Sequence, residues 1–176
     1  MIRVVAAPRW LTPEERRTWI AFLYAQTLLF EQIEQDLQRD SDMPLAYYQV
    51  LVVLSEHPNH SMRMGDLAQA LYFSRSRLSH AITRLEQNGW IRREQCPEDR
   101  RGASSVLTAA GLKALEAAAP DHVESVRTHL FDQLSPAELE QLRVVCEALV
   151  RHLLVSLDIP APSVLPEPGY WEAPAR

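Results

Sequence analysis

Apolar residues recur at helical spacing over most of the chain, and local start and stop signals divide them into segments. Residues 12–15 (Thr-Pro-Glu-Glu) combine an N-cap threonine, a proline at the first helical position and a glutamate that completes a capping box. The apolar positions that follow, from Trp19 to Leu37, predict a helix near residues 13–39 with one broad buried face. A second apolar helix is predicted from Pro44 to about Glu56, where a turn rich in proline and asparagine ends it.

Two short helices are predicted next, separated by only two or three residues. The first runs from Asp66 to Leu71, and the second opens at Ser74 as N-cap and closes at Gly89, which suits a left-handed C-terminal position. A short helix, a tight turn and a second helix form the helix-turn-helix pattern. Leu78, Ile82 and Leu85 share one face of the second helix, so its polar side is free to contact a partner.

A hairpin and two long helices complete the pattern. Residues 90–96 and 103–107 read as antiparallel strands joined by the turn Pro-Glu-Asp-Arg-Arg-Gly. Thr108 caps a long helix that Pro120 is expected to kink or interrupt, and Ser135 opens a last helix to about Leu157. The segment 158–176 holds five prolines and is expected to be extended or disordered.

Charge is distributed unevenly along the chain. The net charge is -5, yet residues 75–101 contain seven arginines against four acidic residues, a local charge of +3 that leaves -8 for the remainder. Seventeen of the eighteen basic residues are arginine, whose planar fork suits bidentate contacts with phosphate or guanine. The segment is therefore a basic patch on an acidic protein.

Length and composition restrict the class of protein. A chain of 176 residues can form one domain or two small lobes, and no apolar run is long enough for a membrane span. The N-terminus lacks the pattern of a secretory signal, so a cytoplasmic location is expected. Cys96 and Cys146 are too few for a disulfide framework and lack metal spacing, and no cofactor is expected.

The order of the elements is that of a winged helix-turn-helix, mostly α with a small β-hairpin wing. The chain resembles MarR-type transcriptional regulators, whose wing signature is matched by Asp99, Arg101, Leu107, Thr108 and Gly111 at the right distances. The resemblance extends over residues 10–157. It implies an N-terminal dimerisation helix (10–43), a DNA-binding lobe (44–109), C-terminal dimerisation helices (110–157) and a proline-rich tail (158–176).

Double-stranded DNA is the partner expected for the basic patch. A helix fits the major groove of B-DNA, and residues near its N-terminus reach base edges. The candidate DNA-binding residues of the helix are Ser74, Arg75, Ser76, Arg77, Ser79, His80 and Arg84. Either Arg75 or Arg77 could grip a guanine, whereas Arg84, two turns further along, is placed better for phosphate.

The wing adds a second set of candidate residues. The resemblance implies that Arg101 enters the minor groove, with Arg100 beside it at the tip. Asp99 then orients the arginine or ties the turn to the lobe, because a carboxylate facing phosphates would repel them. Gly102 supplies a backbone conformation that other residues resist.

The resemblance also implies a homodimer on an inverted-repeat operator, repression as the mode of regulation, and release by a small aromatic ligand. The terminal helices agree with a dimer, since their apolar faces exceed what one small lobe could cover. Trp19, Phe22 and Tyr48 are the candidate pocket residues, although aromatic residues at helical spacing usually pack in a core or an interface.

The sequence leaves alternatives open both for the signal and for the function. The signal could be oxidation of Cys96 or a metal ion, although the histidines form no tight cluster with acidic residues. A winged-helix module that binds protein rather than DNA is the alternative function. The sequence carries no catalytic or phosphate-binding motif, so an enzyme is not expected.

Overall fold

A computed structural model describes residues 8–96 and 99–157, with the backbone alone for Cys96 and residues 99–102. The described chain forms six α-helices and one three-stranded sheet. The helices are α1 (Pro13–Ser41), α2 (Leu45–Glu56), α3 (Met64–Ala70), α4 (Arg75–Gln87), α5 (Ala109–His129) and α6 (Pro136–Ser156). The strands are β1 (Ser61–Arg63), β2 (Ile91–Cys96) and β3 (Asp99–Leu107).

The helix starts confirm the capping signals of the sequence. At α1 the Glu15 amide donates to Thr12 Oγ1 at 3.2 Å, and Glu15 Oε2 accepts from the Thr12 amide at 2.8 Å. The same reciprocal box opens α6 between Ser135 and Glu138. Such boxes satisfy backbone donors that the first turn of a helix leaves free. Helix starts fixed by local chemistry are therefore where the sequence predicted them.

The sheet contains one strand that the sequence did not predict. The hairpin of β2 and β3 is antiparallel, with Ile91 opposite Leu107 and a register shift between Gln95 and Cys96. β1 pairs with the other edge of β3, Ser61 opposite Val106, so the strand order is β1-β3-β2. A three-residue strand has too few positions to show alternation, and only its distant partner defines it.

Two other expectations need correction. α3 begins at Met64, before the predicted Asp66. α5 is not interrupted at Pro120, which lies inside the helix and costs it one backbone donor. The helix ends instead at His129, ahead of a short 3-10 turn at Phe131–Gln133.

The hydrophobic core lies within the helix-turn-helix lobe. Helix α2 runs through its centre, where Val50, Leu51 and Leu54 are fully buried. α4 contributes the predicted apolar face of Leu78, Ile82 and Leu85, all at most 1% exposed. The sheet and α5 add side chains from the other side. The polar face of α4 is consequently directed away from the core.

The two long terminal helices leave apolar faces uncovered. In α1 the buried residues are Ile33, Asp36 and Leu37, all near its C-terminal end, and α6 has no buried residue. Large apolar side chains are exposed instead, including Trp19 at 51% and Val145 at 55%. No described helix is both long and apolar enough to cross a bilayer. These faces lack a partner among the described residues of the single chain.

The wing is joined to α5 by a close approach of two backbones. Thr108 Oγ1 donates to the Gly89 carbonyl at 2.7 Å and accepts from the Gly111 amide at 3.0 Å, and the Thr108 amide donates to the Trp90 carbonyl at 3.0 Å. A β-carbon at Gly111 would lie 2.0 Å from the Trp90 oxygen and 2.8 Å from Leu107 Cδ1. Only glycine fits this position.

We expect Gly111→Ala to lower the free energy of unfolding by about 2 kcal/mol, because the methyl group would force the first turn of α5 away from Trp90. Gly65→Ala is the matched control, since a β-carbon at Gly65 has no atom within 4 Å and alanine favours helix. Urea unfolding at one fixed protein concentration measures both. Equal stability of the two variants would contradict the close approach.

A buried carboxylate joins α1 to α5. Asp36 is 6% exposed and accepts hydrogen bonds from Ser125 Oγ and His129 Nε2 of α5, each at 2.8 Å. Gln32 and Arg39 donate to its other oxygen at 3.0 Å and 2.8 Å. Burial acts to raise the pKa of Asp36, but these hydrogen bonds outweigh it and lower the pKa to about 2.

Because the pKa of Asp36 is lower in the folded state, its ionised carboxylate stabilises the fold at pH values above the ordinary pKa of 3.8. This stabilisation is lost as the pH falls toward 2. We therefore expect Asp36→Asn to destabilise the protein by about 2 kcal/mol at neutral pH, with the difference shrinking below pH 3.8. Asp132→Asn breaks an exposed pair with Arg127 and should cost under about 0.5 kcal/mol. A pH-independent Asp36→Asn effect in urea unfolding would contradict this assignment.

Candidate nucleic-acid interface

The candidate interface is the polar face of α4. All seven candidate residues of this helix, Ser74, Arg75, Ser76, Arg77, Ser79, His80 and Arg84, are exposed on the described chain. Ser74 caps the helix by accepting from the Arg77 amide at 3.2 Å. Gly89 has φ +71°, the left-handed conformation expected for a helix terminator. The structure thus brings these candidates together on one accessible helix.

Ion pairs separate the arginines of the basic patch into two groups. On β2, Arg92 pairs with Glu94 at 2.7 Å, and Arg93 Nε lies 3.5 Å from Glu86 Oε2. Among the described residues, no carboxylate pairs with Arg75, Arg77 or Arg84 on α4. Glu86 and Glu94, the two acidic residues of the patch whose side chains are described, therefore pair with arginines of β2, and the arginines of α4 have no described carboxylate partner.

Arg93 has a structural role that the sequence analysis did not assign. Its Nη2 donates to Thr83 Oγ1 of α4 at 2.9 Å, in addition to the contact with Glu86. Alternation along β2 places Arg92 and Arg93 on opposite faces, which the sequence could indicate, but which face meets α4 depends on tertiary packing. Arg93 ties the base of the wing to the helix.

Phe73 is a second residue that the sequence analysis missed. The Arg77 guanidinium carbon lies over the Phe73 ring, 4.0 Å from its centroid. Phe73 is half-buried and packs against the core, so the ring is fixed from the other side. Phe73 precedes the N-cap Ser74 and lies outside α4, so helical spacing did not indicate the contact.

The tip of the wing lies outside the described side chains. Asp99, Arg100, Arg101 and Gly102 belong to strand β3, but their side chains are not described, and the same holds for Cys96. The rest of the wing signature is described, as Leu107 is buried and Thr108 and Gly111 form the junction with Trp90. The described base of the wing is thus anchored beside α4.

The three candidate pocket residues fall in two places. Trp19 and Phe22 stack on the exposed part of α1, with ring centroids 6.2 Å apart. Tyr48 is buried in the core, 4.3 Å from the ring of His122. Burial, and then the charge of Glu56, raises the pKa of Tyr48, and burial lowers that of His122. Tyr48 therefore does not join the exposed aromatic pair.

A polar cavity of about 380 Å³ lies between α1 and α5, beside the Asp36 cluster. Its lining includes Asp40, Asp121 and Glu124 but none of the three candidate aromatic residues. Within the described residues, no three histidine, cysteine or acidic side chains are grouped as metal ligands would be. Cys146 on α6 is a free, exposed thiol.

Comparison with known proteins relates this chain to one protein family. A model of the MarR family matches residues 41–102, which include the helix-turn-helix and most of the hairpin. Sco3205 from Streptomyces coelicolor, a MarR family transcriptional regulator solved in complex with DNA, is 43% identical over 90% of this chain and 98% of its own, with a TM-score of 0.80. AbsC, a MarR family transcriptional regulator from the same organism, is 44% identical over 83% of this chain and 98% of its own, with a TM-score of 0.76.

A curated relative resembles a smaller part of the chain. The transcriptional repressor MprA of Escherichia coli K12 is 32% identical over 111 residues, 63% of this chain. The match spans 60% of the length of MprA. The similarity to solved structures therefore covers more of the fold than the similarity to this curated relative does.

Proposed function

Since this chain belongs to the MarR family of transcriptional regulators, we propose that it represses transcription as a homodimer bound to an inverted-repeat operator. The observation that carries the proposal is the set of arginines on α4 without carboxylate partners among the described residues. Phosphate neutralisation dominates affinity for DNA, so positive charge that is already paired would contribute little. Helix α4 lies in the major groove in this proposal, with its N-terminal turn at the base edges.

The wing lies beside α4 in the adjacent minor groove. Arg101 is the proposed groove residue, flanked by Arg100, with Asp99 as its orienting carboxylate. Gly102, which was expected in the turn, belongs to strand β3. The match at all five signature positions, which include Asp99 and Arg101, supports the roles of these two residues. A narrow A·T-rich minor groove has an enhanced negative potential that favours an inserted arginine.

The homodimer is supported by the uncovered apolar faces of the terminal helices. Exposed apolar residues line α1 from Trp19 to Phe30 and recur along α6 from Leu139 to Leu153. A contiguous apolar surface of this kind marks a protein interface. A two-fold dimer would present two copies of α4 to half-sites about one helical turn apart.

A small aromatic ligand is the proposed releasing signal, with Trp19 and Phe22 as its candidate contacts, whereas Tyr48 is buried against His122 and lies apart from them. Trp19 and Phe22 stack on the apolar face of α1 that the proposed dimer covers, so this aromatic site would lie at the dimer interface. A compound that binds the native dimer should raise its melting temperature and lower its affinity for DNA together. Aromatic compounds that change neither quantity in thermal-shift and gel-shift screens would count against this signal.

We expect Arg84→Ala to weaken binding to all duplexes and to reduce the salt slope by about one per half-site, as loss of a phosphate contact does. Arg77→Ala should also relax the preference at one base pair, by about 1–3 kcal/mol. Gel shifts with DNA from upstream of the protein's own gene, and with random DNA, measure both effects. Arg127→Ala, an exposed arginine on α5 paired with Asp132, is the matched control.

Equal losses on operator and random DNA for both variants would contradict the division between base and phosphate contacts. Absence of binding at low salt, or an unchanged affinity and salt dependence in Arg101→Ala, would contradict the DNA-binding proposal itself. Absence of binding at low salt would favour the alternative function, a winged-helix module that binds protein rather than DNA.

A further inference from the structure

One arginine of α4 has its side chain positioned before any partner binds. The guanidinium of Arg77 lies over the ring of Phe73, with its carbon 4.0 Å from the ring centroid. Phe73 is itself held in place, because its side chain packs against the core and its amide donates to the Ala68 carbonyl at 3.0 Å. The ring therefore acts as a fixed platform for the arginine.

The backbone of Arg77 is fixed as well. Its amide donates to the Ser74 hydroxyl, so Arg77 occupies the first turn of α4 at the end that reaches base edges. A cation–π contact with a ring uses none of the five N–H groups of a guanidinium in a conventional hydrogen bond, so these donors remain available. No described carboxylate occupies these donors.

The two other arginines of α4 are held differently. Arg75 contacts neither a ring nor a carboxylate within the described residues. Arg84 donates to Gln87 Oε1 at 3.0 Å, a flexible surface contact in the last turn. A phosphate contact tolerates a mobile side chain, whereas bidentate recognition of a base edge requires one orientation.

We propose that Arg77 is the arginine that reads guanine, through its O6 and N7 atoms, and that Phe73 is the positioning residue that orients it. This inference rests on the proposed DNA-binding function and decides between Arg75 and Arg77. Ordering the side chain in the free protein reduces the entropy lost on binding, so the benefit appears in recognition of the correct base.

The test uses the duplex that the wild-type dimer selects from a random pool. Discrimination is measured as the ratio of two affinities. One is the affinity for that site, and the other is the affinity for the same site after the G·C pair that is sensitive to Arg77→Ala has been changed to A·T. Phe73→Leu keeps an apolar side chain in the core but removes the ring, and should lower this ratio about two- to five-fold. Phe73→Tyr keeps the ring and should retain it within about two-fold.

Two further readouts separate positioning from a general structural role. Phe73→Leu should leave the salt slope unchanged, because no charge is removed, and should not alter the ratio further in an Arg77→Ala background. Phe73→Met replaces Phe73→Leu if the leucine variant does not fold. Three outcomes would overturn the proposal. The ratio could stay unchanged in the variant without the ring, the loss caused by this variant could be as large in the Arg77→Ala background as in the wild type, or Phe73→Tyr could lower the ratio.

The proposal would also be overturned if Arg75→Ala, rather than Arg77→Ala, removed the preference for guanine. These outcomes leave DNA binding by the wild-type protein intact, so they are distinguishable from failure of the proposed function. If the wild-type protein selects no site and binds no duplex at low salt, both proposals are overturned.

Discussion

The contact between the first turn of α5 and the Trp90 carbonyl fixes the relation between the DNA-binding lobe and the long helices. Thr108 bonds to two carbonyls at the end of the α4 turn, and Gly111 lets the helix approach closely enough for these bonds to form. Trp90 immediately precedes β2, and Thr108 immediately follows β3. A displacement of α5 therefore cannot occur without a displacement of the hairpin or of the turn after α4.

Electrostatics selects one surface of an otherwise acidic protein. Arg92 and Arg93 neutralise the nearby glutamates, and Arg93 also braces the wing base against Thr83. The arginines of α4 remain available for phosphates and bases because these pairs form on the strand. Negative charge over the rest of the chain discourages contact with DNA at other surfaces. A net charge of -5 is therefore compatible with a DNA-binding protein.

The sequence predicted elements whose cause is local and missed those whose cause is distant. Capping boxes at Thr12 and Ser135 lie within four residues of each helix start, so they could be recognised directly. β1 exists because β3 lies beside it, and no pattern in Ser61–Arg63 announces that pairing. The candidate face of α4 followed from helical periodicity, but Arg93 acts through packing between elements, which periodicity does not specify.

The aromatic residues show the same limit. The family resemblance, together with the crowding of aromatic residues in the first two helices, made Trp19, Phe22 and Tyr48 candidates, yet the fold buries Tyr48 against His122 and leaves the other two on an open face. Spacing along one helix can indicate a shared face, whereas the meeting of two helices depends on their packing angle and on the connection between them.

The central claim is that two copies of α4 enter successive major grooves of one operator. Methylation interference with dimethyl sulfate tests it directly, since the reagent modifies guanine N7 in the major groove and adenine N3 in the minor groove. The account predicts two symmetric clusters of interfering guanines with centres about 10 base pairs apart, and interfering adenines beside each cluster. A single guanine cluster, or interference confined to adenines, would contradict it.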